Sequence, residues 1–284
     1  MTASVEIFSP DLPPGRFVEL EDRGTLVVRD FGGQPNSPVV MLLHGWTATA
    51  DLNWFRCYEA LGKHYRVIAF DHRGHGTGLR VKKSFRLEDC ADDVADVAAA
   101  LGIDRFMVAG YSMGGAVAQL VWKRHPDRVK GLALCATAPF FSGRRDERLS
   151  FLGLTGLAAV ARFTPEQARV WLTEQLYLQR KSVDWEPWAV QEAAAHDWRT
   201  VLEAGKEIGR FSSSEWLSKI DVPVSTVTTM NDTVVPLDRQ VKLFEEIPTA
   251  EPFRVTGNHD AVVVNADRFA PTLLRALRSI ERRH

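Results

Sequence analysis

The chain has 284 residues, of which 45% are hydrophobic and 25% charged, with 35 Lys and Arg against 36 Asp and Glu for a formal net charge of -1. That balance is ordinary for a soluble globular protein of one large α/β domain, or of a domain with a substantial insertion, and it carries no nucleic-acid or anionic-membrane footprint. No apolar run is long enough to span a bilayer. Residues 1–17 hold Glu6, Asp11 and three prolines where a signal peptide needs an apolar stretch, so the cytosol is the expected compartment. Three cysteines, Cys57, Cys90 and Cys135, are odd in number, widely spaced and without a Cys-x-x-Cys pair. This argues against a disulfide framework or a zinc site, and Cys90 and Cys135 read as core fillers.

Residues 18–20 and 25–31 read as an antiparallel entry hairpin turned at residues 22–24. Residues 39–43 form a continuous apolar run, the mark of a parallel strand buried on both faces. Similar runs lie at 65–70, 106–109, 129–136, 224–229 and, shorter, 252–256. Between them Leu87, Cys90, Ala91, Val94, Val97, Ala98 and Leu101 fall at helical spacing, with Asp92, Asp93 and Asp96 expected to face outward and Gly102 to end the helix. Asp238 is expected to cap a helix over 239–247, and Phe269, Leu273, Ala276, Leu277 and Ile280 mark a terminal amphipathic helix. Alternation of this kind predicts a doubly wound, mostly parallel eight-stranded sheet. It breaks over residues 140–217, which give no strand signal and include Trp171, Trp185, Trp188, Trp198 and Trp216. This segment reads as an inserted helical cap between core parts 1–139 and 218–284. A second independent domain is the competing reading, but the segment is small for a core of its own.

The chemistry centres on Met107-Val108-Ala109-Gly110-Tyr111-Ser112-Met113-Gly114-Gly115. A strand, a Gly-x-Ser-x-Gly turn and a helix in that order are the setting of a nucleophile elbow. Gly110 and Gly114 remove the Cβ atoms that would clash as the chain reverses. A serine hydroxyl needs a base, and the base needs a carboxylate to fix its tautomer. His259, in the loop after the last strand, and Asp232, after residues 224–230, complete a Ser…Asp…His order with each residue at the same sheet edge. The two N–H groups of an oxyanion hole are expected from Met113, at a helix N-terminus, and from Trp46, in Leu43-His44-Gly45-Trp46, whose ring would also line the pocket floor. Asp71 is expected to brace its turn, and His196 to be a surface or pocket-lining residue of the cap.

With these motifs, and with Asp71-His72-Arg73-Gly74-His75-Gly76 and Gly257…His259, nearly the whole length from Gly24 onward resembles the α/β-hydrolase fold, in the subgroup with a helical cap. The resemblance implies a Ser112–His259–Asp232 triad, Met113 and Trp46 as oxyanion donors, and a structural role for His44 behind the oxyanion loop. Thr77-Gly78-Leu79 stands where a serine usually follows the Asp-x-Arg-Gly-x-Gly motif, and Asn258 precedes the base where a small residue is usual.

These features predict a serine hydrolase of small carboxylic esters, with no metal, nucleotide or flavin cofactor. A cap stretch from Phe140, Phe141 and Phe151 to Phe163 suggests a short-to-medium apolar acyl group, with Phe140 and Phe141 against the substrate. Other chemistries use the same residues: a thioesterase or carbon–carbon bond hydrolase, and a cofactor-free haloperoxidase, perhydrolase or dioxygenase. A ligand-binding module without turnover has no use for a complete triad.

Overall fold

The computed structural model of the chain describes residues 10–143 and 186–284. Eight strands form one sheet: β1 (Gly15–Leu20), β2 (Gly24–Phe31), β3 (Val39–Leu43), β4 (Arg66–Phe70), β5 (Phe106–Tyr111), β6 (Val129–Cys135), β7 (Val224–Thr229) and β8 (Ala250–Val255). Their spatial order is β1-β2-β4-β3-β5-β6-β7-β8. The pairs β1–β2 and β2–β4 are antiparallel and the others parallel. The hairpin turns at Asp22, whose φ is 59°.

Apolar runs become central strands because both faces are covered. Alternate residues of β3 divide between two cores: Met41 and Leu43 join α2 (Leu87–Ala100) and α3 (Met113–Arg124), while Val40 and Leu42 join α1 (Ala50–Gly62) and the last helix, α8 (Ala266–Arg283). Between β6 and β7 the described chain holds α4 (Glu186–Ala194) and α5 (Trp198–Arg210), and the core resumes through β7, α6 (Leu237–Glu246), β8 and the short α7 (Ala261–Val264). Ala204 and Ile208 of α5 pack into the same core as α2 and α3. Much of the predicted cap, including Arg144, Arg145, Arg148, Phe151 and Trp171, lies outside the described residues.

α2 ends as its sequence predicts. Gly102 has φ +66°, its N–H bonds Ala99 and the Ile103 N–H reaches Ala98, a left-handed cap that buries Ile103. Two expectations are corrected. Asp93 faces inward, because it lies between Cys90 and Val97 on the apolar face of the helix. It is tolerated there as a paired charge, held by Arg73 at 2.6 Å and Arg23 at 2.8 Å. Asp238 does not cap α6: the helix starts at Leu237, two residues earlier than expected, Pro236 occupies the N-cap and Asp238 sits in the first turn. Among the described residues, no helix is long and apolar enough to cross a membrane.

Candidate active site

The turn from β5 into α3 places Ser112 at φ 54° and ψ -116°, a conformation that non-glycine residues adopt only under constraint. The constraint comes from β6. The Ser112 N–H donates to Cys135 O at 2.9 Å, and the Thr137 hydroxyl donates to Ser112 O at 2.8 Å. The glycines around it are obligatory on steric grounds. A Cβ on Gly114 would lie 2.2 Å from Leu43 O, and one on Gly110 2.2 Å from Gly114 O. Both contacts are with backbone, which cannot swing away.

Ser112 Oγ lies 2.9 Å from His259 Nε2, and His259 Nδ1 lies 2.8 Å from Asp232 Oδ2. The three predicted residues are therefore one chain of hydrogen bonds, assembled from the carboxyl ends of β5, β7 and β8. Asp232 is 8% exposed and accepts five hydrogen bonds. Oδ1 takes the Val234 and Val235 N–H groups at 2.9 and 2.8 Å. Oδ2 takes His259, the Thr229 hydroxyl at 2.6 Å and Gln240 Nε2 at 3.2 Å. Burial disfavours the charge, but the His259 bond and the Thr229 and Val235 donors outweigh it and hold the Asp232 pKa below the usual carboxylate value.

The base loop is tied down separately. Tyr111, one residue before Ser112, donates its hydroxyl to His259 O at 2.8 Å. Asn258 Oδ1 accepts the N–H groups of His259 at 2.8 Å and Thr233 at 2.9 Å, joining the base loop to the acid loop. The departure from a small residue before the base thus has a structural use. Sequence reasoning did not find Thr229, Gln240 and Tyr111 as supports, because nothing in one-dimensional spacing relates Gln240 on α6 to the end of β7.

The loop after β3 runs beside the elbow, and a Cβ on Gly45 would lie 3.4 Å from the Ser112 Cβ. Asn53 Oδ1 accepts the Gly45 N–H at 2.9 Å. Among the described residues no backbone hydrogen-bond partner is found for the N–H of Trp46 or of Met113; Met113 follows Ser112 in the chain, and Trp46 follows Gly45, the residue beside it. Behind this loop His44 is fully buried. Its Nε2 accepts the His72 N–H at 2.8 Å, so the ring proton sits on Nδ1 and goes to Gly45 O at 2.8 Å. His72 and His75 pack on it, with ring centroids 4.4 and 5.2 Å away.

Asp71 braces its turn as expected. It accepts the Ala50 N–H at the start of α1 and the Thr77 N–H, both at 2.7 Å. The Trp46 ring is half-buried against the core of α2 and α3, with its indole N–H donated to Val201 O at 2.7 Å. Phe141 packs on Phe211 and Phe140 lies under Arg239 and Lys242, which places both rings where β6 leaves the core next to α6. His196 corrects expectation: it is 4% exposed, buried against the turns after β3 and β4.

A model of the alpha/beta hydrolase fold family matches residues 38–265. The chain belongs to the α/β-hydrolase fold family. This α/β hydrolase is 30% identical over 256 residues to RutD of Rhizobium rhizogenes (strain K84), a protein provisionally named a carbamate hydrolase, across 87% of this chain and 95% of the relative. Two solved structures share its fold. An esterase from Exiguobacterium antarcticum superposes with a TM-score of 0.79 at 20% identity, covering 93% of this chain and 100% of the esterase. A bromoperoxidase from Bacillus anthracis superposes with a TM-score of 0.80 at 18% identity, with the same coverage of 93% and 100%.

Proposed function

We propose that this α/β hydrolase is a serine esterase that cleaves small carboxylic esters through an acyl-enzyme on Ser112. The observation that carries this reading is the unbroken hydrogen-bond chain from Ser112 Oγ through His259 to Asp232. His259 takes the hydroxyl proton as Ser112 Oγ attacks the ester carbonyl carbon. Asp232 holds the imidazole tautomer that leaves Nε2 free to accept. The carbonyl oxygen, now negative, is met by the N–H groups of Met113 and Trp46, the first reinforced by the start of α3. The tetrahedral centre collapses, His259 returns the proton to the leaving alcohol, and water activated by the same base releases the acid. Residues 140–217 serve in this reading as the cap over the site, with Phe140 and Phe141 lining the acyl side.

The test is hydrolysis of p-nitrophenyl esters from acetate to laurate, by wild type and Ser112→Ala. The expected result is a peak at short to medium chains in wild type and loss of turnover in the variant. A flat profile across chain lengths sinks the apolar acyl pocket, and a variant as active as wild type sinks the serine mechanism. A carbamate belongs in the same panel, since its carbonyl is open to the same attack and a relative 30% identical carries that provisional name.

A further inference from the structure

α4 and α5 come from the segment between β6 and β7, yet the residues joining them are bound to the loop beside the nucleophile. His196 Nδ1 accepts the Gly76 N–H at 2.8 Å. That bond leaves the ring proton on Nε2, which faces Thr47 O at 3.3 Å. Five residues on, Val201 O accepts the Trp46 indole N–H at 2.7 Å. The Asp197 N–H donates to Gly74 O at 2.8 Å, and Arg80 bridges Gly76 O and Ala195 O. Thr47 itself holds φ at 60°, left-handed backbone that a threonine keeps only when its surroundings enforce it. The inserted segment therefore grips the oxyanion loop twice just after the Trp46 N–H: through the Trp46 side chain and through the carbonyl of the next residue.

We propose that His196 and the Trp46 indole form a clasp by which the inserted segment aims the Trp46 N–H at the oxyanion. His196 is a positioning residue that acts through Thr47, and the Trp46 ring is a peg more than a wall of the acyl pocket. The clasp rests on the acyl-enzyme reading given above and adds to it a second role for the segment, which sets an oxyanion donor as well as covering the site. An oxyanion donor is called on chiefly when the carbonyl oxygen becomes charged, so loss of the clasp lowers turnover more than substrate binding.

Three variants of the full chain test it: His196→Leu, His196→Gln and Trp46→Phe. Leucine fills similar space without polar atoms. Glutamine presents an acceptor and a donor about as far apart as the two ring nitrogens, so it can serve Gly76 and Thr47 together. Phenylalanine keeps an aromatic ring at 46 and removes the indole donor together with part of the ring system. Two readouts are taken: kcat and KM on p-nitrophenyl butyrate, and the rate of labelling by a fluorophosphonate, whose phosphoryl oxygen occupies the oxyanion position. Loss of one oxyanion donor lowers rate about 100-fold or more, so a misaimed donor is expected to lower kcat and labelling about 10- to 100-fold in His196→Leu and Trp46→Phe, with KM within about twofold. His196→Gln is expected to recover most of the loss. If Trp46→Phe raises KM and leaves kcat unchanged, the ring is a pocket wall and the clasp is wrong. If His196→Leu and Trp46→Phe both label as fast as wild type while Ser112→Ala is inert, only the clasp fails. Should Ser112→Ala also label, the acyl-enzyme reading beneath it falls. If His196→Leu does not fold, Trp46→Phe alone decides.

Discussion

Asp232→Asn lowers kcat on p-nitrophenyl esters about 10,000-fold while the folded state and KM stay close to wild type. The size of the effect follows from the surroundings of the carboxylate. Oδ1 accepts two backbone N–H groups, and Oδ2 faces a ring nitrogen, a hydroxyl and an amide nitrogen. An asparagine places its oxygen on the backbone pair, because those donors cannot turn away. Its NH2 then points at His259 Nδ1, which must give up its proton and accept. The ring proton moves to Nε2 and faces Ser112 Oγ, where a base should have a lone pair. The Thr229 hydroxyl can turn to accept from the new amide, while Gln240 stays held by Val235 O and the Thr229 N–H, so the substitution changes tautomer without unmaking the loop. The check is steady-state kinetics of Asp232→Asn beside Ser112→Ala, with thermal unfolding of both. A loss of less than about tenfold would remove Asp232 from the mechanism.

Acid should destabilise this protein chiefly through its buried histidines. Burial pushes the pKa of His44 down to about 4, and that of His196 to about 4 despite its bond to Thr47. Burial and the neighbouring imidazoles drive His72 and His75 well below the ordinary value of 6.5, with the Arg73 charge adding to the effect at His72. In the unfolded chain all four protonate near pH 6.5. Below that pH the unfolded state binds protons that the folded state refuses, so stability is complete above pH 6.5 and is lost as pH falls toward 4. For His44 and His196 alone the loss is about 3 kcal/mol each by pH 4. A domain has only about 5–15 kcal/mol in total. Asp71 and Glu192, both raised by burial, work in the opposite direction over the lower part of this range. Urea unfolding at intervals from pH 8 to pH 4 reads the effect, and His196→Gln should flatten the slope by close to one proton. A midpoint that holds steady down to pH 5 would show that these imidazoles do not govern stability.

The strand segments and the Ser112, Asp232 and His259 positions were legible in the sequence because each rests on a local rule. Apolar runs mark strands covered on both faces, and two glycines around a serine mark a turn that tolerates no Cβ. Asp93 was misread because its charge was given more weight than its place on the helical face between Cys90 and Val97, and the arginines that neutralise it come from distant turns. His196 was misread for a related reason. Its partners, Gly76 and Thr47, lie 120 and 149 residues away and offer only backbone groups, which leave no trace in side-chain chemistry. The collar on Asp232 was illegible because Gln240 on α6 has an unremarkable sequence setting. The same holds for the Trp46 indole, whose partner is a main-chain carbonyl 155 residues on.

The backbone of Ser112 makes the nucleophile a point where activity and stability are traded against each other. At φ 54° and ψ -116° any residue with a Cβ is strained, and only glycine occupies such a region freely. Selection for turnover is what keeps a side chain there. A lineage released from that selection would gain by drifting to glycine at 112, becoming a sturdier and inert copy of itself. The trade can be measured in dead enzymes, where chemistry no longer confuses it: Ser112→Gly should be more stable than Ser112→Ala by about 1 kcal/mol, a few degrees in Tm. Equal melting temperatures would mean that the surrounding strands, and not the serine, carry the strain.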